Sequence, residues 1–222
     1  QKQQGQSTFR QQIGVSSTDF LVCAVGQICA RKGLLELIDA LRRIRNEAPE
    51  MHVAIVGKVV FPHEGVYLDA MHAAIAEAGL EDRVHFTGEL ADVSAALQGA
   101  DLLVLNSLDE PFGLVLIEAM SSGTPVVATR VGGVPEIVTD EENGWLIDKG
   151  DTAALALRLL KLSRDRSALA QVAQRALSVT CPKFSLEQFQ DELMRFYAEL
   201  DPNEDRKWNT RNRPALARSG NH

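Results

Sequence analysis

The chain has 222 residues, 45% of them hydrophobic, enough to bury a full core as one large domain rather than two small ones. A formal net charge of -7 argues against a nucleic-acid binder, because holding a phosphate backbone needs a basic face. Cys23, Cys29 and Cys181 lack metal-ligand spacing and suit a reducing compartment; no run nears the roughly 18 apolar residues of a membrane span, and no signal-peptide core opens the chain, so a cytoplasmic protein is expected.

Residues 1–18 are polar and glutamine-rich and read as a linker or arm. Phe20 to Val25 is an apolar, β-rich strand that runs into Gly26-Gln27-Ile28-Cys29-Ala30-Arg31-Lys32-Gly33. A helix follows from Leu34 to about Asn46, with Leu34, Leu37, Ile38, Leu41 and Ile44 at helical spacing. A strand, a loop with two cations and a helix start together make a candidate anion site. Taken alone, Arg31 and Lys32 are better read as solvated loop charges, the usual fate of such residues. Val53 to Val56 is the next strand, ended by Gly57, and a helix from about Val66 to Ala78 follows the loop 58–65. Val84 to Thr87 is a short strand closed by Gly88, and a helix from about Asp92 to Leu97 leads to the strand Asp101 to Leu105. His52, His72 and His85 stand singly and read as packed or surface side chains.

The next stretch organises the rest. Glu110-Pro111-Phe112-Gly113 is a loop beyond the strand, on the edge where parallel sheets bind ligands. The helix from about Gly113 to Ser121 is apolar nearly all round, which marks it as buried, and Glu118 alone breaks the pattern. A buried carboxylate needs donors, and a ligand's hydroxyls would serve. Ser121 to Pro125 turns into the strand Val126 to Thr129, then comes the glycine loop Val131-Gly132-Gly133 and a second helix start at Val134-Pro135-Glu136. Gly144 to Ile147 is one more short strand, and the chain is helical from Thr152, with segments around Leu155 to Leu162, Leu169 to Leu177 and Leu186 to Leu200. Strand–helix alternation with short glycine-bounded connections predicts a Rossmann-like α/β domain, three layers with about six parallel strands. The predicted division is arm 1–18, domain 19–184, C-terminal helix 185–200 and unstructured tail 201–222.

Glu110 and Glu118, with seven residues between them around Pro111-Phe112-Gly113, resemble the paired-glutamate motif of retaining glycosyltransferases of the two-Rossmann-domain (GT-B) kind, family four, the group 1 glycosyl transferases. Gly26 through Lys32-Gly33, Phe86-Thr87-Gly88 and Val131 through Glu136 match that family's other landmarks in order. The resemblance covers about residues 19–200 and implies only the C-terminal, donor-binding domain.

It also implies roles. Glu118 would accept hydrogen bonds from both ribose hydroxyls of a nucleotide-diphosphate sugar. Glu110 would touch the hydroxyls of the transferred, hexose-type sugar, and Phe112 would shape its pocket. The amides of Gly113, Leu114 and Val115 would hold a phosphate, and Lys32 would meet the charge that develops on the leaving diphosphate. Gly57 and Leu90 would line the base, uracil or guanine. The family commonly has arginine where this chain has Gln27, which cannot neutralise phosphate, and Arg31 is the candidate substitute. No metal or other cofactor is implied. The acceptor would bind an N-terminal domain of the same parent protein, which could also give peripheral membrane contact, and the helix 185–200 would dock there. The resemblance implies a bacterial enzyme whose isolated donor half transfers sugar slowly or not at all. Two alternatives stand beside it, a non-catalytic nucleotide-sugar-binding subunit and a nucleotide-sugar epimerase.

Overall fold

A computed structural model describes residues 8–200, with the side chain of Leu200 outside that description. Two compact units divide between Cys181 and Pro182. The first is a Rossmann-like α/β fold around one six-stranded sheet, all parallel. The strands are β1 Phe20–Val25, β2 Met51–Val56, β3 Val84–Gly88, β4 Leu102–Leu105, β5 Val126–Thr129 and β6 Trp145–Ile147. Across the sheet they run β3-β2-β1-β4-β5-β6. Phe20 pairs with Met51 and Val22 with Leu102, which puts β1 in the middle of the sheet.

The helices are α1 Leu34–Arg43, α2 Gly65–Ala78, α3 Ser94–Gly99, α4 Leu114–Ser121, α5 Val134–Ile137, α6 Thr152–Arg164 and α7 Arg166–Arg175. Most match the expected spans. The first helix ends at Arg43 instead of near Asn46, and the chain then turns, with the Ala48 N–H donating to the Ile44 carbonyl at 2.9 Å. Pro49 keeps the chain from resuming the helix at Ala48, because a residue before proline avoids the helical region. Leu34, Leu37, Ile38 and Leu41 of α1 are buried in the core, each contributing roughly 1.5–3 kcal/mol. Cys23 lies wholly inside, where burial pushes its thiol up to about 12.

The second unit contributes α8, Leu186–Leu200, whose Phe189, Leu193 and Phe196 repeat at helical spacing and are exposed. Residues 1–7 and 201–222, which include the predicted tail, lie outside the described residues.

The described part of the expected arm is folded onto the sheet. Phe9 and Val15 are buried, and so is Arg10. Arg10 donates to the carbonyls of Gly99, Ser16 and Asp19 and pairs with Asp101 at 2.6 Å. Asp101 also holds Arg166 at 2.7 Å and the Leu21 N–H at 2.8 Å, so both its oxygens are used. These bonds close the edge of the sheet where the strands begin.

His52 and His85, on adjacent strands at the same edge, face one another with Nδ1 and Nε2 3.0 Å apart. Desolvation lowers the titration of His52; Asp19 opposes this, and Arg83 and Arg10 add to it. His85 is lowered by desolvation and then by His52, with Asp82 opposing. Both folded values lie below the ordinary one, so below about pH 6.5 the unfolded chain binds protons that the folded chain refuses. Stability present at neutral pH is therefore lost on acidification. The melting temperature should fall between pH 7.5 and 5.5, and fall less in His85→Gln; equal pH slopes for the two proteins would exclude this pair as the cause.

Candidate functional site

The strand order reverses at β1 and β4, so the loops that leave these strands diverge and open a crevice at the carboxyl edge of the sheet. The β1 loop, residues 26–33, contains a 3-10 turn at Ala30–Lys32 and ends on Gly33. The β4 loop, residues 106–113, is bonded to it backbone to backbone. The Leu108 N–H donates to the Arg31 carbonyl at 2.8 Å, and the buried Asn106 amide donates to the Gly33 carbonyl at 2.9 Å. Gly33 has φ 61°, and a Cβ there would lie 2.0 Å from the Asn106 carbonyl oxygen. Only glycine permits that approach.

The side chains then follow. Lys32 Nζ meets Glu110 Oε2 at 2.6 Å, with side chains 15% and 10% exposed. Ser107, fully buried, donates to the same oxygen at 3.1 Å. Thr129 Oγ1 donates to the Ser107 carbonyl at 2.5 Å, which ties the β4 loop to β5. From the glycine loop, the Gly133 N–H donates to the Pro111 carbonyl at 3.1 Å.

Between these loops and α4 lies a cavity of about 400 Å³, lined by Lys32, Glu110, Phe112, Gly113, Leu114, Val115 and Glu118 among others. That volume suits a small-molecule site. Helix α4 opens on Gly113, in the left-handed region at φ 96°, with no side-chain cap. The first amides of the helix are thus left for a ligand.

Glu118 differs from its expected setting. It is exposed, and among the described residues it has neither an ion pair nor a side-chain hydrogen bond. Helix α4 buries Leu116, Ala119 and Met120 and presents Leu114, 65% exposed, with Glu118 to the crevice. An exposed leucine on the open face made the helix read as buried all round. The carboxylate needs no internal donor and lines the cavity available to a ligand.

The other predicted residues divide. Gln27 lines a smaller cavity next to Lys32, and its amide donates to both oxygens of Glu64 at 2.8 and 2.7 Å. Desolvation raises the Glu64 carboxyl, but the Gln27 amide and the N–H groups of Phe61 and Val60 outweigh it and hold it below its ordinary value. Arg31 lines neither cavity; its guanidinium donates to the Asp109 carbonyl at 3.2 Å, bracing the Glu110 loop. Gly57 and Leu90 also line neither cavity. Gly57 packs under the β1 loop, where a Cβ would lie 1.8 Å from the Gly26 carbonyl oxygen. Among the described residues no three His, Cys, Asp or Glu side chains cluster as a metal group. No helix there is long and apolar enough to cross a membrane.

The family model "Glycosyl transferases group 1" matches residues 5–179. The chain belongs to that family. It is thus a glycosyltransferase-family chain, and its fold matches GT-B neighbours. Among relatives, it is 33% identical over 205 residues to D-inositol 3-phosphate glycosyltransferase of Salinispora arenicola, covering 89% of this chain and 45% of that protein. To N-acetyl-alpha-D-glucosaminyl L-malate synthase of Bacillus anthracis it is 27% identical, over 86% of this chain and 48% of the relative. The crystal structure of Anabaena HepE in complex with UDP superposes with a TM-score of 0.82 at 32% identity, over 88% of this chain and 53% of that one. The C-terminal domain of a group 1 family protein (LpcC) from Francisella tularensis matches at TM-score 0.74 and 26% identity, over 84% of this chain and 94% of that domain. The group 1 chain described here thus spans about half the length of the curated relatives it matches.

Three contributors escaped sequence reasoning. Ser107, Asn106 and Glu64 act through partners that periodicity does not reveal. The one available signal was Asn106-Ser107, two polar residues directly after an apolar strand, which the structure buries.

Gly132 tests how tightly this group 1 site is built. It has φ 49°, and a Cβ there would lie 1.9 Å from the Glu110 carbonyl oxygen. Gly132→Ala should cost at least about 2 kcal/mol through strain and displacement of the loop. That is a drop of about 4–8 °C in melting temperature for a chain of this size. A melting point within about 1 °C of the parent would mean that the loop relaxes freely.

Proposed function

We propose that this chain is the nucleotide-sugar-binding half of a retaining glycosyltransferase that moves a hexose-type sugar and needs no metal. The observation that carries the reading is Glu118. Among the described residues it is a carboxylate without an ion pair or side-chain hydrogen bond, one helical turn above the uncapped opening of α4, on the same cavity as the ammonium of Lys32. In that arrangement a nucleoside diphosphate has a place for each of its parts. Glu118 accepts from the two ribose hydroxyls. The amides of Gly113, Leu114 and Val115 receive a phosphate. Lys32 meets the charge that grows on the diphosphate as the sugar leaves, the electrostatic help that usually dominates such a rate. Glu110 meets the sugar's hydroxyls, and Phe112 closes the pocket beside them.

The acceptor would be bound by an N-terminal domain across the crevice, against which α8 would pack. Uridine diphosphate is the first nucleotide to try, because the HepE structure, 32% identical, holds UDP.

The test uses titration calorimetry with UDP and with 2′-deoxy-UDP. A hydrogen bond to a carboxylate contributes about 1.5–3 kcal/mol, so the parent chain should bind the deoxy nucleotide about tenfold or more weaker. In Glu118→Ala the two nucleotides should bind alike. Lys32→Ala should lose at least about tenfold in UDP affinity, whereas Arg31→Ala, outside the cavity, should change it by less than about threefold. If Glu118→Ala keeps the full preference for UDP over its deoxy analogue, the ribose assignment is wrong.

A further inference from the structure

The β1 loop offers two side-chain donors to the crevice, Lys32 and Gln27, and carboxylates of this chain hold both. Glu110 takes Lys32 at 2.6 Å, and Glu64 takes the Gln27 amide at 2.8 and 2.7 Å. Each carboxylate occupies a donor that a ligand's oxygen could otherwise use. The larger cavity is lined by one cation, Lys32, and two carboxylates, Glu110 and Glu118, so its lining is formally anionic. The nearest further cation in the loop, Arg31, is turned to the Asp109 carbonyl and lines neither cavity. A diphosphate entering this site meets its own kind of charge at short range, in partly dehydrated surroundings where repulsion is strong.

We infer that Glu110 is a selectivity residue that competes with the diphosphate for Lys32, so that the site favours a sugar-bearing nucleotide over the bare nucleoside diphosphate. The inference rests on the nucleotide-sugar reading above. Both bonds that hold Glu110, from Lys32 and from Ser107, fall on Oε2 and leave Oε1 for a ligand. A nucleotide-sugar brings hydroxyls that donate to this carboxylate, which then has a reason to part from Lys32 as the ammonium turns to the diphosphate. A bare nucleoside diphosphate brings no such donor. It leaves two anions contending for one ammonium. The consequence for turnover is direct: once the sugar has gone, Glu110 loses its hydroxyl partners and returns to Lys32, which weakens the hold on the spent nucleotide.

Glu110→Gln separates the two effects, because the amide keeps the shape and the sugar contact while removing the competing charge. Calorimetric titration of the whole 222-residue chain with UDP and UDP-glucose, and with GDP and GDP-mannose, reads the result. Expected is a UDP (or GDP) affinity about tenfold higher in the variant than in the parent, with no comparable gain for the nucleotide-sugar. The preference for the sugar-bearing form then shrinks or inverts. Thermal melting of each protein checks folding. Should Glu110→Gln not fold, Glu110→Asp carries the test, since the shorter side chain withdraws its charge from Lys32 and should raise UDP affinity in the same direction. A folded variant that binds the bare nucleotide no more tightly than the parent overturns the competition. The parent chain's failure to bind any of the four compounds would instead overturn the nucleotide-sugar reading itself, and this inference with it. An intact ribose preference under Glu118 control, combined with an unchanged Glu110→Gln, would discard the competition alone.

Discussion

Lys32 and Glu110 stand 78 residues apart in the chain, and their charges meet at 2.6 Å because the loops that carry them are bonded backbone to backbone. The Leu108 N–H on the Arg31 carbonyl and the Asn106 amide on the Gly33 carbonyl fix the distance between loops. Gly33 and Gly132 let the main chains approach to where any side chain would collide. An ion pair so nearly buried is a poor device for stability, since removing two charges from water costs about as much as their attraction returns. Its persistence makes better sense as chemistry. A desolvated ammonium held in place by a removable anion is prepared for a better one.

The two edges of the sheet show how differently one fold can treat its charges. At the edge where strands begin, Asp101 is saturated by Arg10, Arg166 and the Leu21 N–H, and Arg10 has a carbonyl or carboxylate for every donor group. Neither side chain is left to offer a ligand. At the edge where strands end, α4 opens without a side-chain cap, Glu118 has no side-chain partner among the described residues, and Leu114 is 65% exposed. The first edge closes a domain; the second presents a surface. Val60 and Phe61, each 52% exposed in the loop beyond β2, belong to that second edge, as does the Glu64 carboxylate that restrains Gln27.

Much of this was legible in the residues. Apolar strands bounded by glycines gave every strand position within a residue or two, because parallel strands covered on both faces leave a continuous hydrophobic run. Lys32 and Glu110 were each legible as loop residues that follow a strand and precede a helix start, but the roles expected of them came from the family resemblance, not from that placement. Glu118 was legible as the residue that breaks an apolar helix, but its environment was misread: Leu114 counted as evidence of burial when it faces the crevice. What periodicity could not supply was the partner of anything. Glu64 lies 37 residues from Gln27, and only the folded loop 58–65 brings the carboxylate to the amide. Arg31, next to Lys32 in sequence, points elsewhere because a 3-10 turn at Ala30–Lys32 separates the two side chains by about a third of a revolution. The helical stretch from Thr8 was hidden for a related reason: beside the buried Phe9 it is anchored by a charged residue, Arg10, and hydropathy reads arginine as surface.

The exchange of Gln27 for a cation has a structural consequence that charge counting alone misses. An arginine there would carry a full positive charge that glutamine lacks. A neutral amide instead forms two hydrogen bonds to Glu64 without cancelling its charge, so the loop 58–65 is held in place while the crevice stays anionic. On the proposed reading of the site, the one ammonium matters more than it would among several, and whatever controls that ammonium would control the affinity for phosphate. Glu110 is the side chain in that position, and the hydroxyl of Ser107, fixed through Thr129 to the next strand, sets how firmly it stays there.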